Sequence, residues 1–586
     1  VAYSSPQLSK QKIDLLIADM EMQRNPREAI WREIDRHLVP GMCRFELTDQ
    51  DQDTFRNDHI LDSTADQAFM TCENGMIANV TNPSQPWLKL KPAGDPDLAE
   101  YGPAAAWYDD VARILLGIIE DSGTYEAFQD LYGYAIKFSN GLFWMEEDYE
   151  KVVNANVVPM GQWYITKDGR GNVNSIYRRL RMTVRSVVET FGRMKPSGSY
   201  DWSNFSNQVK DAWDTGRYQQ YVDVGHLVMP NPEYRPLYRT STEKRFKSCY
   251  FELGGTPSVY GSTASAMKDE GRYLRESGYD QIPAFVFQWH TTGHDIYGLR
   301  CPGITSLPDN RELQHWKLKK TVALDKMVDP PTYGPPWSKF LRIGHLPGQH
   351  TAVQDTDLQR GGIRKLYEQD PRILEVMDHL QEMKSNINKA FFVDVFQMLD
   401  SLEPRQRTAT EINARHNERL SRLVGPHNKL VKNVFSPFVD RLFTYAYNQG
   451  RLPEPPDEVR EDGIKVEYVS TMAQAMRALN MSGLDVVLDA AIRISQIDPA
   501  ATVLEKIDAH QFIDEYAKSA GTPARVIRGD EQVIEIQKAK AEAQAQQQRM
   551  MQMEAMAKGV KDLANSPTDG ENVLTDLVKG MSGNAA

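Results

Sequence analysis

Between residues 130 and 305 the chain is written in short β-branched and aromatic runs, and on either side of that stretch it is not. The runs are GLFWMEED, NVVPMGQWYITKD, VNSIYRRLRM, YVDVGHLVMP, SCYFEL and AFVFQWH, parted by Gly and Pro. One helical interruption, TVRSVVETFG, falls at 183–192. This pattern predicts a mixed unit with antiparallel sheet, set into a chain that is otherwise mostly helical. The fold class is α+β.

Before that stretch, Ile13, Leu16, Ile17 and Met20, then Ile30, Trp31, Ile34 and Leu38, follow helical spacing. Asn25-Pro26 is read as dividing them, with Asn as N-cap and Pro at the first helical position. Thr64 and Gln67 have capping-box spacing and open a helix through Ile77. NPSQPW then turns into the strand WLKLK (87–91), and a further helix spans about 104–120.

After residue 305 helical spacing returns. Asp309 and Glu312 predict a helix from 309 to about 327, which DPPTYGPP stops. A second helix is expected from Pro371 through Phe391, so two long helices bracket the Pro- and Gly-rich segment 331–370. SLEPRQR (401–407) leads to Thr408 and Glu411, a capping box that starts a helix running into the 440s. IKVEYV follows LPEPP as a short strand, and helices are expected around 471–518. In 531–560 the residues Ile536, Ala539, Ala543, Gln546, Met550, Met553, Ala557 and Val560 form a weak coiled-coil-like seam. One such helix is marginal alone and forms when neighbours pack beside it.

The 586 residues carry a formal net charge of −12, which argues against a protein that coats nucleic acid over its whole surface. A few local contacts, or a channel enclosing DNA without gripping it, remain open. None of the four cysteines forms a CxxC pair, pointing to a reducing cytosol, and no apolar run approaches the roughly 20 residues of a membrane span. No Gly-Lys dipeptide occurs, so there is no phosphate-binding P-loop, and there is no GxSxG elbow. His290 and His294 flank Thr-Thr-Gly, a poor helical context for two metal ligands, and a turn of polar residues is the better reading. The acidic pairs Asp109-Asp110 and Glu146-Glu147 suit a solvated surface better than a two-metal nuclease. No catalytic residue, metal site or cofactor is expected.

Arg405 and Arg407 project from the loop before the capped helix, and Arg415, Arg419 and Arg422 share one of its faces. Two readings stand side by side. One is a solvated face paired with Glu418 and nearby carboxylates; the other is local phosphate contact without sequence reading.

Four stretches in order, ENGMIANVTNPSQPWLKL (73–90), GNVNSIYRRLRMTVRSVVETFG (171–192), YGLRCPGITSLPDNREL (297–313) and RTATEINAR (407–415), resemble the portal proteins, or head-to-tail connectors, of short-tailed, T7-like bacteriophages. Asn82 and Gln85 depart from that family's pattern. The resemblance implies a ring of twelve identical subunits around a DNA channel, in the virion between capsid and tail, assembled in the host cytoplasm. It implies a wing at 1–305, a first stem helix at 306–330, a clip at 331–370 and a second stem helix at 371–399. The tunnel loop and a wing helix would be 400–465, the crown 466–525, and a C-terminal barrel helix and tail 526–586. Arg405 and Arg407 would then line the channel, with Arg415 and Arg419 as phosphate-facing candidates. Trp337, Lys339, Arg342 and His345 become candidates for docking at the clip. Implied partners are double-stranded DNA without sequence preference, terminase, a tail adaptor, the major capsid protein and internal core proteins at the crown. The function implied is genome packaging and ejection, without catalysis. The alternatives are another virion structural protein, such as a tail adaptor or internal core protein, and a metal-dependent DNA-processing enzyme.

Overall fold

The first helix, α1, runs without interruption from Lys10 to His37, with Pro26 inside it. The expected division at Asn25-Pro26 is absent. Pro26 removes one backbone bond, but tertiary contacts hold both sides of it. Arg24, almost fully buried, donates to the carbonyls of Gly161 and Trp163 at 2.7 and 3.3 Å and to Glu28 at 3.1 Å, so one ion pair spans the proline. Its guanidinium also lies 3.8 Å from the centre of the Tyr164 ring.

The computed structural model describes residues 10–45, 60–92, 102–237, 240–254, 273–293, 295–328, 332–333, 364–365, 373–400, 422–456 and 464–468, with isolated residues between 492 and 553. They fall into two compact units. One comprises Val1–Lys91, Tyr108–Glu454 and Ile464–Ile507; the other comprises Pro92–Trp107, Pro455–Gly463 and Asp508–Ala586.

Helix α2 (Thr64–Val80) begins at the expected place with a shifted cap. Thr64 is its first helical residue, and Asp62 accepts from the Thr64 amide at 3.0 Å and from the Thr64 hydroxyl. Gln67 reaches back to Ser63 instead of Thr64. Then come β1 (Leu88–Pro92) and α3 (Gly102–Asp121), close to expectation, and α4 (Thr124–Phe138), a helix where the strand-rich region was expected to begin.

The strand-rich region follows as β2 (Asn140–Asp148), β3 (Val152–Val158), β4 (Trp163–Lys167), β5 (Val173–Thr183), α5 (Val184–Phe191), α6 (Asn207–Asp214), β6 (Tyr221–Pro230), β7 (Phe246–Glu252), β8 (Tyr273–Tyr279) and β9 (Ala284–Gln288). It makes a three-stranded sheet of order β3-β2-β9 and a five-stranded sheet of order β4-β5-β6-β7-β8. Every pairing within them is antiparallel, as the sequence predicts. Thr183 caps α5 by accepting from the Ser186 amide. Side chains alternate across the five-stranded sheet. Ile13, Ile17 and Met20 of α1 pack on Tyr177, Leu227, Cys249 and Phe251 on one face. Val187, Val188, Val209 and Ala212 of α5 and α6 pack with Val224, Tyr250 and Leu274 on the other. Gly225 is required on the α1 side, where a Cβ would lie 2.6 Å from the Phe251 ring.

Helix α7 covers Pro302–Val328 and starts seven residues before the expected Asp309 cap. Its first turns are buried against the end of α4. The Cys301 thiol donates to the Lys137 carbonyl at 3.3 Å and accepts from the Ile304 amide at 3.4 Å. Gly303 lies so close to the Lys137 backbone that a Cβ would sit 2.6 Å from its carbonyl oxygen. Pro302 supplies a favourable first helical residue. Short strands β10 (Thr332–Tyr333) and β11 (Arg364–Lys365) follow. The second long helix is two: α8 (Ile373–Ala390) and α9 (Val393–Asp400). Phe392, with φ 57°, makes the break. Phe391 packs edge-on to Phe69, Phe392 stacks on Trp289, and Phe396 covers Gly75, an arrangement one continuous helix does not provide.

From Leu423 onward, α10 (Val424–Leu430) passes through a π-helical turn, Val431–Phe435, into α11 (Ser436–Asn448). Phe435 and Phe438 both meet Phe128, at 5.5 and 5.4 Å. Strand β12 (Ile464–Tyr468) pairs with β1.

Two buried ionic centres join these elements. Lys137, with no exposed side-chain surface, donates to Asp35 at 2.6 Å and to the Val39 carbonyl at 2.7 Å. Burial pushes its pKa down while Asp35 pulls it up, and the net shift is downward. Asp62, 5% exposed, takes Lys384 of α8 at 2.9 Å and Lys317 of α7 at 3.4 Å. Gln314 of α7 accepts from the amides of Leu61 and Asp62 and donates to the Asp62 carbonyl. Burial raises the Asp62 pKa, but hydrogen bonds from Lys384 and Thr64 and the Lys384 charge outweigh it and hold it at about 2.

Replacing Lys137→Met leaves the Asp35 carboxylate without its counter-charge, held by the Gly41 and Met42 amides, and urea denaturation should show a loss of about 3 kcal/mol. For Asp62 the folded pKa lies below the unfolded one. Its stabilisation is therefore present above pH ~4 and is lost as pH falls toward ~2. Asp62→Asn should be less stable at neutral pH and show a flatter acid limb than wild type in melting curves between pH 2 and 5.

Candidate channel and docking site

Helices α7 and α8 pack as a pair, and Asp62 pins both, through Lys317 in the middle of α7 and Lys384 of α8. Across the pair, His379 of α8 lies 3.1 Å from Glu312 of α7 and edge-on to Trp316, with ring centroids 5.8 Å apart. Glu312 therefore serves the helix pair, while the start of α7 is made at Cys301 and Pro302. Arg311 adds an ion pair to Glu33 of α1 at 2.8 Å.

The character of α7 changes after Gln314. Its buried residues are Pro302, Gly303, Ser306, Asn310, Leu313 and Gln314, and none lies beyond. The remaining turns, about 20 Å of helix, carry Leu318, Val322, Leu324, Met327 and Val328, each between 40% and 83% exposed. On α8, Met377 is exposed as well. These side chains are spread around α7 and do not form a single stripe, so the helix has no one apolar face for a single neighbour. A helix of this kind is suited to contacts on more than one side.

At the far end of the pair, β10 and β11 close a ladder, with Thr332 opposite Lys365 and Tyr333 opposite Arg364. The segment expected as the clip thus leaves and returns at one place. Its docking candidates Trp337, Lys339, Arg342 and His345 lie outside the described residues. So do Arg405, Arg407, Arg415 and Arg419; their nearest described flanks are α9, which ends at Asp400, and Arg422, which is exposed. Sequence reading missed Asp62 and Gln314, which fix the helix pair to the body. An Asp two residues before a helix-opening Thr was the available signal for the first; nothing local marks the second.

Of the histidine pair considered for metal, His290 is exposed and His294 lies outside the described residues. Among the described residues no three His, Cys, Asp or Glu side chains gather as a metal site. The four cysteines are buried free thiols, and burial pushes Cys249 and Cys301 up to about 12. In the second unit, the residues described between Val533 and Met553 are helical, with Met550, Met551 and Met553 exposed.

Comparison with known proteins agrees across most of the chain. Residues 10–527 match the profile of the bacteriophage head to tail connecting protein family. The portal protein of Salmonella phage epsilon15 is 30% identical over 568 residues, 97% of this chain and 98% of that one. The probable portal protein of Bordetella phage BPP-1 is 31% identical over 572 residues, with the same coverage of 97% and 98%. Among solved structures, a chain from the neck of an empty gene transfer agent particle aligns with a TM-score of 0.34 at 13% identity, covering 74% of this chain and 95% of that one. The match to the family profile and the near full-length relatives together lead to one conclusion: the chain belongs to the family of bacteriophage head to tail connecting proteins.

Proposed function

We infer that the chain is the repeating subunit of a portal ring at one capsid vertex, a channel for packaging and ejecting the genome rather than an enzyme. Family membership supports the reading, and the observation that carries it is the outer half of α7. Apolar side chains disposed around a half-helix and left exposed by the described residues of its own subunit are what a heterologous contact with two neighbours requires. In this reading the α7–α8 pair is the stem and 331–370 the clip, where terminase and then the tail adaptor dock. The wing comprises 1–305 and 400–465, the crown 466–525, and the exposed Met-rich helix within 526–586 contributes to a barrel. Twelve copies, the capsid protein around them and internal core proteins at the crown complete the assembly. Arg405 and Arg407 would line the channel, with Arg415 and Arg419 nearby. In a subunit of net charge −12, a sparse arginine ring would touch DNA phosphates without reading sequence and so brake or centre the duplex.

Electron microscopy with native mass should find a ring of about twelve 66.7 kDa chains around an open centre. Leu318→Asp with Val322→Asp should leave the subunit folded, with a melting temperature within a few degrees of wild type, but unable to close the ring. A double variant that still forms rings would remove the helix pair from the interface. Arg405→Ala with Arg407→Ala should keep the ring and change DNA retention during packaging; unchanged packaging sinks the channel role.

A further inference from the structure

The loop after β9, residues 289–295, is held by lysines from two separate elements. Lys167, at the end of β4, donates to Gln288 Oε1 at 2.6 Å and to the Asp295 carbonyl at 2.7 Å. Lys429, in α10, donates to Thr291 Oγ1 at 3.1 Å. An ammonium has three N–H donors. Among the described residues these contacts use two on Lys167 and one on Lys429, and every acceptor is a neutral oxygen.

Both lysines are half-buried, and their pKa values are lowered. At Lys167 burial is the largest cause; the Asp295 carboxylate opposes it, and the charge of Lys429 adds to it. At Lys429 burial acts alone. Two partly desolvated cations that grip one short loop, with the Asp295 carboxylate near Lys167, offer an anion charge that neutral oxygens do not fully balance. The place is open to solvent, since His290, Thr292 and Gly293 of the same loop are exposed.

We propose that Lys167, Lys429 and Thr291 form a binding site for a phosphate-class oxyanion, joining β4, α10 and the loop between them. The anion would take charge-assisted bonds from the two ammonium groups and one from the Thr291 hydroxyl. Free phosphate and the phosphodiester backbone of DNA present the same chemistry. The proposal does not rest on ring formation.

The test titrates the full-length protein with inorganic phosphate at constant ionic strength, following melting temperature and heat of binding against a chloride control. Phosphate should stabilise the wild type beyond chloride. Lys167→Gln and Lys429→Gln should each weaken apparent affinity by at least about tenfold, the loss expected for one charge-assisted bond. Lys429→Arg should keep binding within a few-fold, and Lys432→Gln, at an exposed neighbour in the π-helical turn, should bind as wild type. A short duplex that competes with phosphate in the wild type identifies DNA as the source, and a duplex that does not compete identifies the free ion. Phosphate acting no differently from chloride overturns the proposal, as does wild-type binding by a folded Lys429→Gln, which decides the matter even where Lys167→Gln does not fold.

Discussion

A lysine without access to water sits where three helices meet. The Lys137 ammonium is anchored to Asp35 and the Val39 carbonyl just past α1, its own carbonyl takes the Cys301 thiol, and Gly303 at the head of α7 lies against its backbone. Burying that charge is costly unless its partners are held in place, so the positions of α1, α4 and α7 depend on one another. The first turns of α7 inherit their place from this centre. Asp62 repeats the device farther along by pinning Lys317 and Lys384, and the long helix pair thereby leaves the body in a set direction.

Much of the fold was legible because its periodicities are local. Val224, Leu227 and Met229 sort to opposite sheet faces by alternation, and Ile13, Ile17 and Met20 share a face by helical spacing. Strand β8, YLRESGY, was not anticipated, because its polar residues break the alternation that marked the other strands. The errors cluster at helix ends and breaks, where a distant partner outweighs a local signal. Pro26 did not divide α1 because Arg24 holds the helix to β4 and the turn before it. The Asp309 cap did not start α7 because Cys301 and Gly303 bind to α4. The long helix after 371 broke because Phe391 and Phe392 each have an aromatic partner contributed by a different part of the chain.

The candidate site was legible differently. The order of four motifs pointed to the family, and family membership does not require the placement of any single side chain. Arg405 and Arg407 drew notice because arginines before a capped helix stand out in an acidic chain, a signal of composition and spacing with no packing in it. Asp62, Gln314, Lys167 and Lys429 gave no such signal. Each matters through contacts with residues more than a hundred positions away, and in isolation each reads as an ordinary surface residue.

The interruption at Phe392 has a mechanical meaning. A continuous helix carries a twist applied at one end through its hydrogen-bonded ladder to the other. Between α8 and α9 that ladder is broken by a residue in the left-handed region, whose ring stacks on Trp289, and the chain on either side rests on α2, at Phe69 before the break and at Gly75 after it. A twist applied at the outer end of α8 therefore meets a joint at Phe392 seated on α2 and Trp289, where the body shares the load, instead of a continuous rod leading to α9.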